Sequence, residues 1–373
     1  MRRSLAEGAA ALQYSQRSMA TAPGVITHGE IFHQPDLWPD TVRRVRIAAI
    51  APVAGDERPV ITGAGSSAYA AIAIAAAWPG ARAVPTTDLL LDARVGGVPE
   101  LPVDGLLISI ARSGDSPESV GVVELIQRVR PDVRHLAITC NEQGRLAKTD
   151  GVSAILLDPR TNDRSLAVTS GYSNLVLAGL ALRHGPRLEE SVAAVSARTK
   201  AALVALDASA KCVAESPTSR VTVLTPPALV GAGREASLKI LEMTDGAVVS
   251  MPETFVGVRH GPMTFLRDGE LVLCLLSSDM HLRRYEEDLL FELRAKKLGR
   301  IVAIASTPLD RSLADHIVSA NAPELPDMLR TPFEIVFAQL LAYHLSVRLG
   351  LNPDVATPRG VINRVVQGVR VHH

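Results

Sequence analysis

Residues 106–129 read LLISIARSGDSPESVGVVELIQRV, and the reading of the whole fold starts from them. Leu106–Ile110 are apolar and β-branched in part, as a buried strand requires. From Val120 onward the apolar residues recur at helical spacing. Between the two lies ARSGDSPES, residues 111–119, where Ser113, Gly114, Ser116 and Ser119 are all small. A strand that passes through such a loop into a helix is a βα unit of a parallel sheet.

The unit recurs. LLISIARSGDS has a partner in LVLCLLSSDMH, with Leu107 and Val272 standing 165 residues apart. RHLAITC is matched by RIVAIAS, and Leu136 to Ile301 is again 165. A third pair is VITGAGSSAYAAI from Val60 and ALVGAGREASLKI from Ala228, whose GAG triplets start 168 residues apart at Gly63 and Gly231. Three strand-then-loop units in one order predict two related α/β halves, each a parallel sheet covered by helices on both faces. The Ala-rich segment 187–215 reads as a helix joining them, residues 1–45 as a lead-in, and LNPDVATPRG as the start of a C-terminal tail.

Composition narrows the function. The chain has 373 residues, enough for two domains, and 47% are apolar, so a globular protein is expected. Lys plus Arg equals Asp plus Glu at 39 each, which argues against nucleic-acid and anionic-membrane partners. Cys140, Cys212 and Cys274 are far apart with no CxxC spacing, as in a reducing compartment without a metal knuckle. The first 15 residues lack the apolar core of a signal peptide, and AYAAIAIAAAW is too short to span a bilayer. A soluble cytoplasmic protein is expected.

In parallel sheets, ligands bind beyond the carboxyl ends of the strands, where strand order reverses. GAGSSA and ARSGDSPES are placed there. Gly63–Ala68 also satisfies GxGxxA, with Asp88 near the place of a ribose-binding acid, so a dinucleotide is a rival reading. Two features oppose it: Arg234 and Glu235 crowd the second copy, and the next loop is a hydroxyl cluster a nicotinamide site does not need. A phosphate monoester suits the hydroxyls better. Ser116 is a natural N-cap and Pro117 a natural first helical residue. The N–H groups of that turn then face an anion at the positive end of the helix dipole, with Ser113 and Ser116 adding hydroxyl donors. Asp115 is expected to point away. Ser, Gly, Asp and Pro are also the usual residues of plain turns, so the loop alone leaves that alternative open.

Together these motifs resemble the tandem sugar isomerase (SIS) domain family. GEIFHQPDLW is similar to the family's opening segment, GAGSSA and ARSGDSPES to its two phosphosugar loops, and TCNEQGRLAK to its CN..G.LA segment. GREASLKILEMTDGAVVSMPETFVGVRHGP is similar to the catalytic stretch of the second domain. ARSGDSPESV, TNDRSLAVTS and NRVVQGV most resemble the AgaS-type branch, of tagatose-6-phosphate ketose/aldose isomerases and galactosamine-6-phosphate deaminases. The resemblance implies two five-stranded, mostly parallel, flavodoxin-like doubly wound sheets, over residues 46–205 and 206–373, with a tail at 352–373 and lead-in helices in 1–45. It implies a hexose or hexosamine 6-phosphate as substrate.

Likeness to the isomerase half of glucosamine-6-phosphate synthase implies the roles. Ser67, Ser113 and Ser116, with Arg112 nearby, would hold the phosphate, Gly65, Ser66 and Gly114 would bind the substrate beside them, and Thr169 and Ser170 would line the sugar. Glu242 would move a proton between carbons 1 and 2. His260 would assist ring opening from the partner subunit of an obligate homodimer. Asn363 stands where the synthase has a Schiff-base lysine, so a covalent imine to the tail is not expected. Ala111 replaces a phosphate-loop serine, and Lys239, three residues before Glu242, could contribute a charge.

The chemistry agrees with these residue types. A carboxylate can carry a proton across one face of an enediol or enolamine, and a histidine can open a ring near neutral pH. Glu235 lies seven residues before Glu242, two turns away on one helical face. No HExxH or other ligand spacing is present, so neither metal nor cofactor is expected. The leading expectation is an amino-sugar phosphate deaminase/isomerase. Plain aldose–ketose isomerisation, deglycation of a fructosamine phosphate, and a non-catalytic phosphosugar sensor are the alternatives.

Overall fold

A computed structural model of the chain describes residues 23–51, 53, 55–92, 101–355, 360–366 and 368–371. The lead-in reading of residues 1–22 lies outside them, as do residues 372 and 373 at the end of the tail. Two helices come first, α1 (Val25–Phe32) and α2 (Gln34–Ile47). The first half follows as β1 (Val60–Gly63), α3 (Ser66–Ala76), β2 (Arg82–Pro85), α4 (Thr86–Asp92), β3 (Leu106–Ala111), α5 (Pro117–Val129), β4 (Arg134–Thr139), β5 (Val152–Leu156) and α6 (Ser170–His184). The 30-residue α7 (Pro186–Glu215) carries the chain across. The second half is β6 (Arg220–Thr225), α8 (Val230–Met243), β7 (Val249–Thr254), β8 (Leu271–Leu275), α9 (Met280–Ala295), β9 (Arg300–Ala305), β10 (His316–Ser319) and α10 (Asp327–Arg348).

The sheets run β2-β1-β3-β4-β5 and β7-β6-β8-β9-β10, and every pairing is parallel. Both therefore have the 2-1-3-4-5 order of a flavodoxin-like sheet. β3 and β8 sit centrally and are buried along their full length, as strands covered on both faces must be. One apolar core joins the facing sides of the two sheets through α3, α6, α8 and α10, and a smaller core lies under the outer helices of each half. Among the described residues no helix is long and apolar enough to cross a membrane.

Two of the three internal matches hold as strand-then-loop units. β3 faces β8 in the alignment at the expected offset, and β4 faces β9 within one residue of it. The third is corrected. The second GAG lies inside α8, not in a loop after a strand. Its strand is β6, ended by Pro226-Pro227, which cannot continue a ladder. The helical glycine serves packing instead. A Cβ on Gly231 would stand 2.8 Å from the backbone of Tyr69 and Ala73 in α3.

The lead-in ties the halves together. The Gln34 amide donates to Gln339 Oε1 of α10 at 2.7 Å, and the Gln339 amide donates to the Thr169 carbonyl at 3.1 Å. Trp38 Nε1 and Thr41 Oγ1 donate to Ser173 and Asn174 of α6. All of these groups are buried, so each bond satisfies a polar atom that water cannot reach.

Candidate active site

The main cleft, of about 470 Å³, opens at the carboxyl ends of β1 and β3, where the strand order reverses. Three chain segments build its floor and wall. The first is Gly65, Ser66 and Ser67 at the start of α3. Gly65 has φ +57° with nothing near its missing Cβ, so backbone conformation rather than space asks for glycine there. The second is Arg112, Ser113 and Ser116 ahead of α5. Ser116 precedes Pro117, which opens the helix, and makes no side-chain capping bond. Its hydroxyl meets that of Ser119 at 2.7 Å instead. Asp115 turns away, accepting from Arg145 N at 3.0 Å and from Asn141. The third segment is the tail, from which Ile362, Asn363 and Arg364 reach over the opening.

Electrostatics favour an anion here. Two helix N-termini point their positive ends at the cleft. Arg112 is 7% exposed, and its Nη1 has no protein partner. Its Nη2 donates to the Arg364 carbonyl. Burial, then the neighbouring Arg364, lowers the Arg112 pKa, a strain that an anion relieves.

Glu242 lines the same cleft from the last turn of α8. Behind it runs a buried line of charge on one helix face. Lys239 Nζ lies 2.5 Å from Glu242 Oε2 and 3.5 Å from Glu235 Oε1. Lys239 and Glu235 are fully buried, while Glu242 is about a quarter exposed (26%). Burial alone would lower the Lys239 pKa, but the two carboxylates outweigh it and raise it. Burial, and then Glu242, push Glu235 up to about 8 against the pull of Lys239. Lys239 thus stays charged, and its Nζ lies nearer Glu242 than Glu235.

Other residues sit elsewhere. Gly114 lies in the turn but not on the cleft wall. Thr169 and Ser170 are fully buried behind it, and their backbone N–H groups, with that of Gly171, donate to Asp163. Val168 and Leu166 line the cleft in their place. His260 is exposed, on the 3-10 turn Gly257–His260 after β7, and does not line its own chain's cleft.

Three residues that sequence reasoning did not single out hold the wall in place. Asp163 caps α6 with its carboxylate, and burial, then Glu30, pushes its pKa up to about 7. Glu30 of α1 accepts from the Arg164 and Ser165 N–H groups and the Ser165 hydroxyl. Arg364 donates from Nε to the Asp163 carbonyl at 2.8 Å and from Nη2 to Asn162 Oδ1 at 2.8 Å, pinning the tail to that loop. Glu30, Asp163 and Arg364 lie in GEIFHQPDLW, TNDRSLAVTS and NRVVQGV, so their place in those motifs was the one signal the sequence held. Among the described residues no three His, Cys, Asp or Glu side chains come together as a metal site.

No family model matches the chain. It is 36% identical over 374 residues to the D-galactosamine-6-phosphate deaminase AgaS of Escherichia coli, covering 95% of this chain and 97% of that one. It superimposes on the tagatose-6-phosphate ketose/aldose isomerase from Escherichia coli with a TM-score of 0.81 and 31% identity, over 94% of this chain and 99% of the other. The C-terminal domain of glucosamine-fructose-6-phosphate aminotransferase from Francisella tularensis matches at TM-score 0.70 and 16% identity, over 87% and 96% of the two chains, a likeness of fold alone.

Proposed function

This chain belongs to the AgaS branch of the sugar isomerase family, and we propose that it is an enzyme converting galactosamine 6-phosphate, or a similar hexosamine 6-phosphate, to ketose 6-phosphate and ammonia. One observation carries the reading: Glu242, tied to the buried Lys239, reaches the same cleft as the serine loops and Arg112.

On this reading the phosphate lies over the starts of α3 and α5. Ser67, Ser113 and Ser116 give it hydroxyl donors and Arg112 gives it the unspent Nη1. Glu242 takes the proton from carbon 2 of the open-chain amino sugar, giving the enolamine, exchanges it with solvent, and protonates carbon 1, giving the ketimine. Water then attacks carbon 2 to release ammonia and leave the ketose. Lys239 orients the base through one carboxylate oxygen and leaves the other for the sugar. Asn363 on the cleft wall cannot form an imine, which leaves carbon 2 open to water. His260 opens the ring from a partner subunit, since its own chain's cleft does not contain it; the active form is then a homodimer with shared sites.

Incubating the protein with galactosamine 6-phosphate in deuterated water tests this. The expected result is ammonia stoichiometric with ketose 6-phosphate, and deuterium at carbon 1. The related isomerase name favours a second reading, plain aldose–ketose interconversion. Background ammonia beside brisk interconversion of galactose and tagatose 6-phosphates would establish that reading instead.

A further inference from the structure

The loop after β8 occupies, in the second sheet, the place the phosphate loop after β3 occupies in the first. Both strands are third in a 2-1-3-4-5 order, and the 165-residue offset sets Ser278 opposite Ser113. Both loops present serines ahead of a helix. They differ in what has become of their donors. In the first loop Ser116 makes no capping bond and Asp115 turns away, so the donors face open cleft. In the second, every corresponding donor is spent inside the chain. Asp279 caps α9, accepting from His281 N at 2.7 Å. Asp327, the first residue of α10, accepts from the Ser277 hydroxyl, from Ser278 N at 2.8 Å and from Ser278 Oγ at 2.7 Å.

Asp327 is only 7% exposed, so its carboxylate sits where solvent does not reach. Two arginines lie beside the loop, each also paired with a glutamate of its own helix. Arg330 is fully buried, with Nη2 3.2 Å from Asp327 Oδ1 and donating to the Leu276 carbonyl, Nε 3.2 Å from Glu334 Oε1, and Nη1 without a protein partner. Arg283 is 1% exposed, donates to the Ser277 carbonyl, has Nε 3.1 Å from Glu287 Oε1, and leaves Nη2 without a partner. Glu286 takes the Ser277 N–H at 2.9 Å from the other side. Two buried guanidinium groups with unspent donors, facing a serine loop, form an oxyanion site by the chemistry of charge-assisted hydrogen bonds.

We infer that the loop after β8 is a second oxyanion-binding loop, and that Asp327 is its built-in ligand, a carboxylate lodged where the first half takes phosphate. The chain then binds one sugar phosphate, in the first half, and uses the second loop to anchor α10 against the sheet. Phosphate at the first loop rests on the proposed function; the oxyanion chemistry of the second loop does not.

Removing the carboxylate should recreate the site for a free anion. In Asp327→Ala, formate or inorganic phosphate should raise the melting temperature by roughly 3–6 °C over chloride at equal ionic strength, beyond any rise in the unaltered protein. Asp327→Asn keeps the side chain in the loop and should show no such excess. An equal response of Asp327→Ala and the unaltered protein overturns the inference. So does an equal excess in both variants, or an Asp327→Ala protein that no concentration of formate or phosphate brings to a folded state. Phosphate inhibition of turnover reads the first loop separately. If phosphate fails to inhibit while the Asp327→Ala excess is present, the phosphate assignment of the first loop has failed and the second-loop inference stands.

Discussion

At the scale of single residues, the site depends on which buried acids keep their protons. Glu242→Gln should slow turnover by roughly 10²–10⁴-fold, the worth of a positioned acid–base group. Glu235→Gln should cost less, because burial holds that carboxyl up to about 8 and it does not line the cleft. A loss from Glu235→Gln as large as that from Glu242→Gln would contradict this division of roles. Lys239→Met removes the cation 2.5 Å from Glu242 Oε2. Glu242 then loses the bond that orients it, so kcat should fall with KM little changed. An unchanged kcat would show that Lys239 only fills space. The serines, Arg112, Asn363 and Glu242 could be placed from sequence because each sits in a short motif or at helical spacing. Thr169 and Ser170 could not, since whether a residue beside a helix start faces the cleft or Asp163 depends on a capping bond across six residues. Glu30 and Arg364 act over 134 and 201 residues, beyond any local pattern.

At the scale of elements, local chemistry decided most boundaries and misled at one. Pro117 opened a helix at its first position, as expected, although the Ser116 side chain makes no capping bond. The second GAG looked like the first because both are small-residue triplets, yet one turns a chain and the other lets two helices touch. That difference lies in tertiary contact, which the triplet does not record. It can be measured with paired glycine substitutions. Gly29 lies in α1 with nothing within 4 Å of a built Cβ, so Gly29→Ala should stabilise by about 0.5–1 kcal/mol through helix propensity. Gly231→Ala has the same propensity gain but drives a methyl to 2.8 Å from α3 backbone. Overpacking of that kind costs about 1–3 kcal/mol, so the net effect should be destabilising. Chemical denaturation of the two variants checks the sign; a stabilised Gly231→Ala would mean that α3 and α8 can move apart at no cost.

At the scale of the molecule, the two sheets share a core but divide the labour, and two measurements follow. The first concerns pH. Burial pushes Glu286 and Glu334 up to about 7, as it does Asp163, and Glu235 further. The native state then binds more protons than the unfolded one from about pH 4 upward, so this stability is full below the unfolded pKa and lost as pH rises through 7 to 8. Asp158, through its hydrogen bond from Arg160, and Glu270, through those from Ser219 and Thr218 against its burial, are held down near 2, and their contribution is lost only in strong acid. The melting temperature should therefore be higher at pH 5.5 than at pH 8.5, and Glu334→Gln should flatten the slope. The second measurement concerns assembly. Glu242 and His260 both belong to the second half, yet Glu242 enters the cleft and His260 stands exposed on the 3-10 turn after β7. If each site joins Glu242 of one chain to His260 of another, Glu242→Gln and His260→Ala homodimers are each inactive at both sites. A mixed dimer places both changes in one site and leaves the other whole. Equal amounts exchanged to equilibrium give about half mixed dimers, each with one working site, and so about a quarter of the unaltered rate. A site built within one chain would leave every mixed dimer with two damaged sites, and activity would stay at the level of the separate variants.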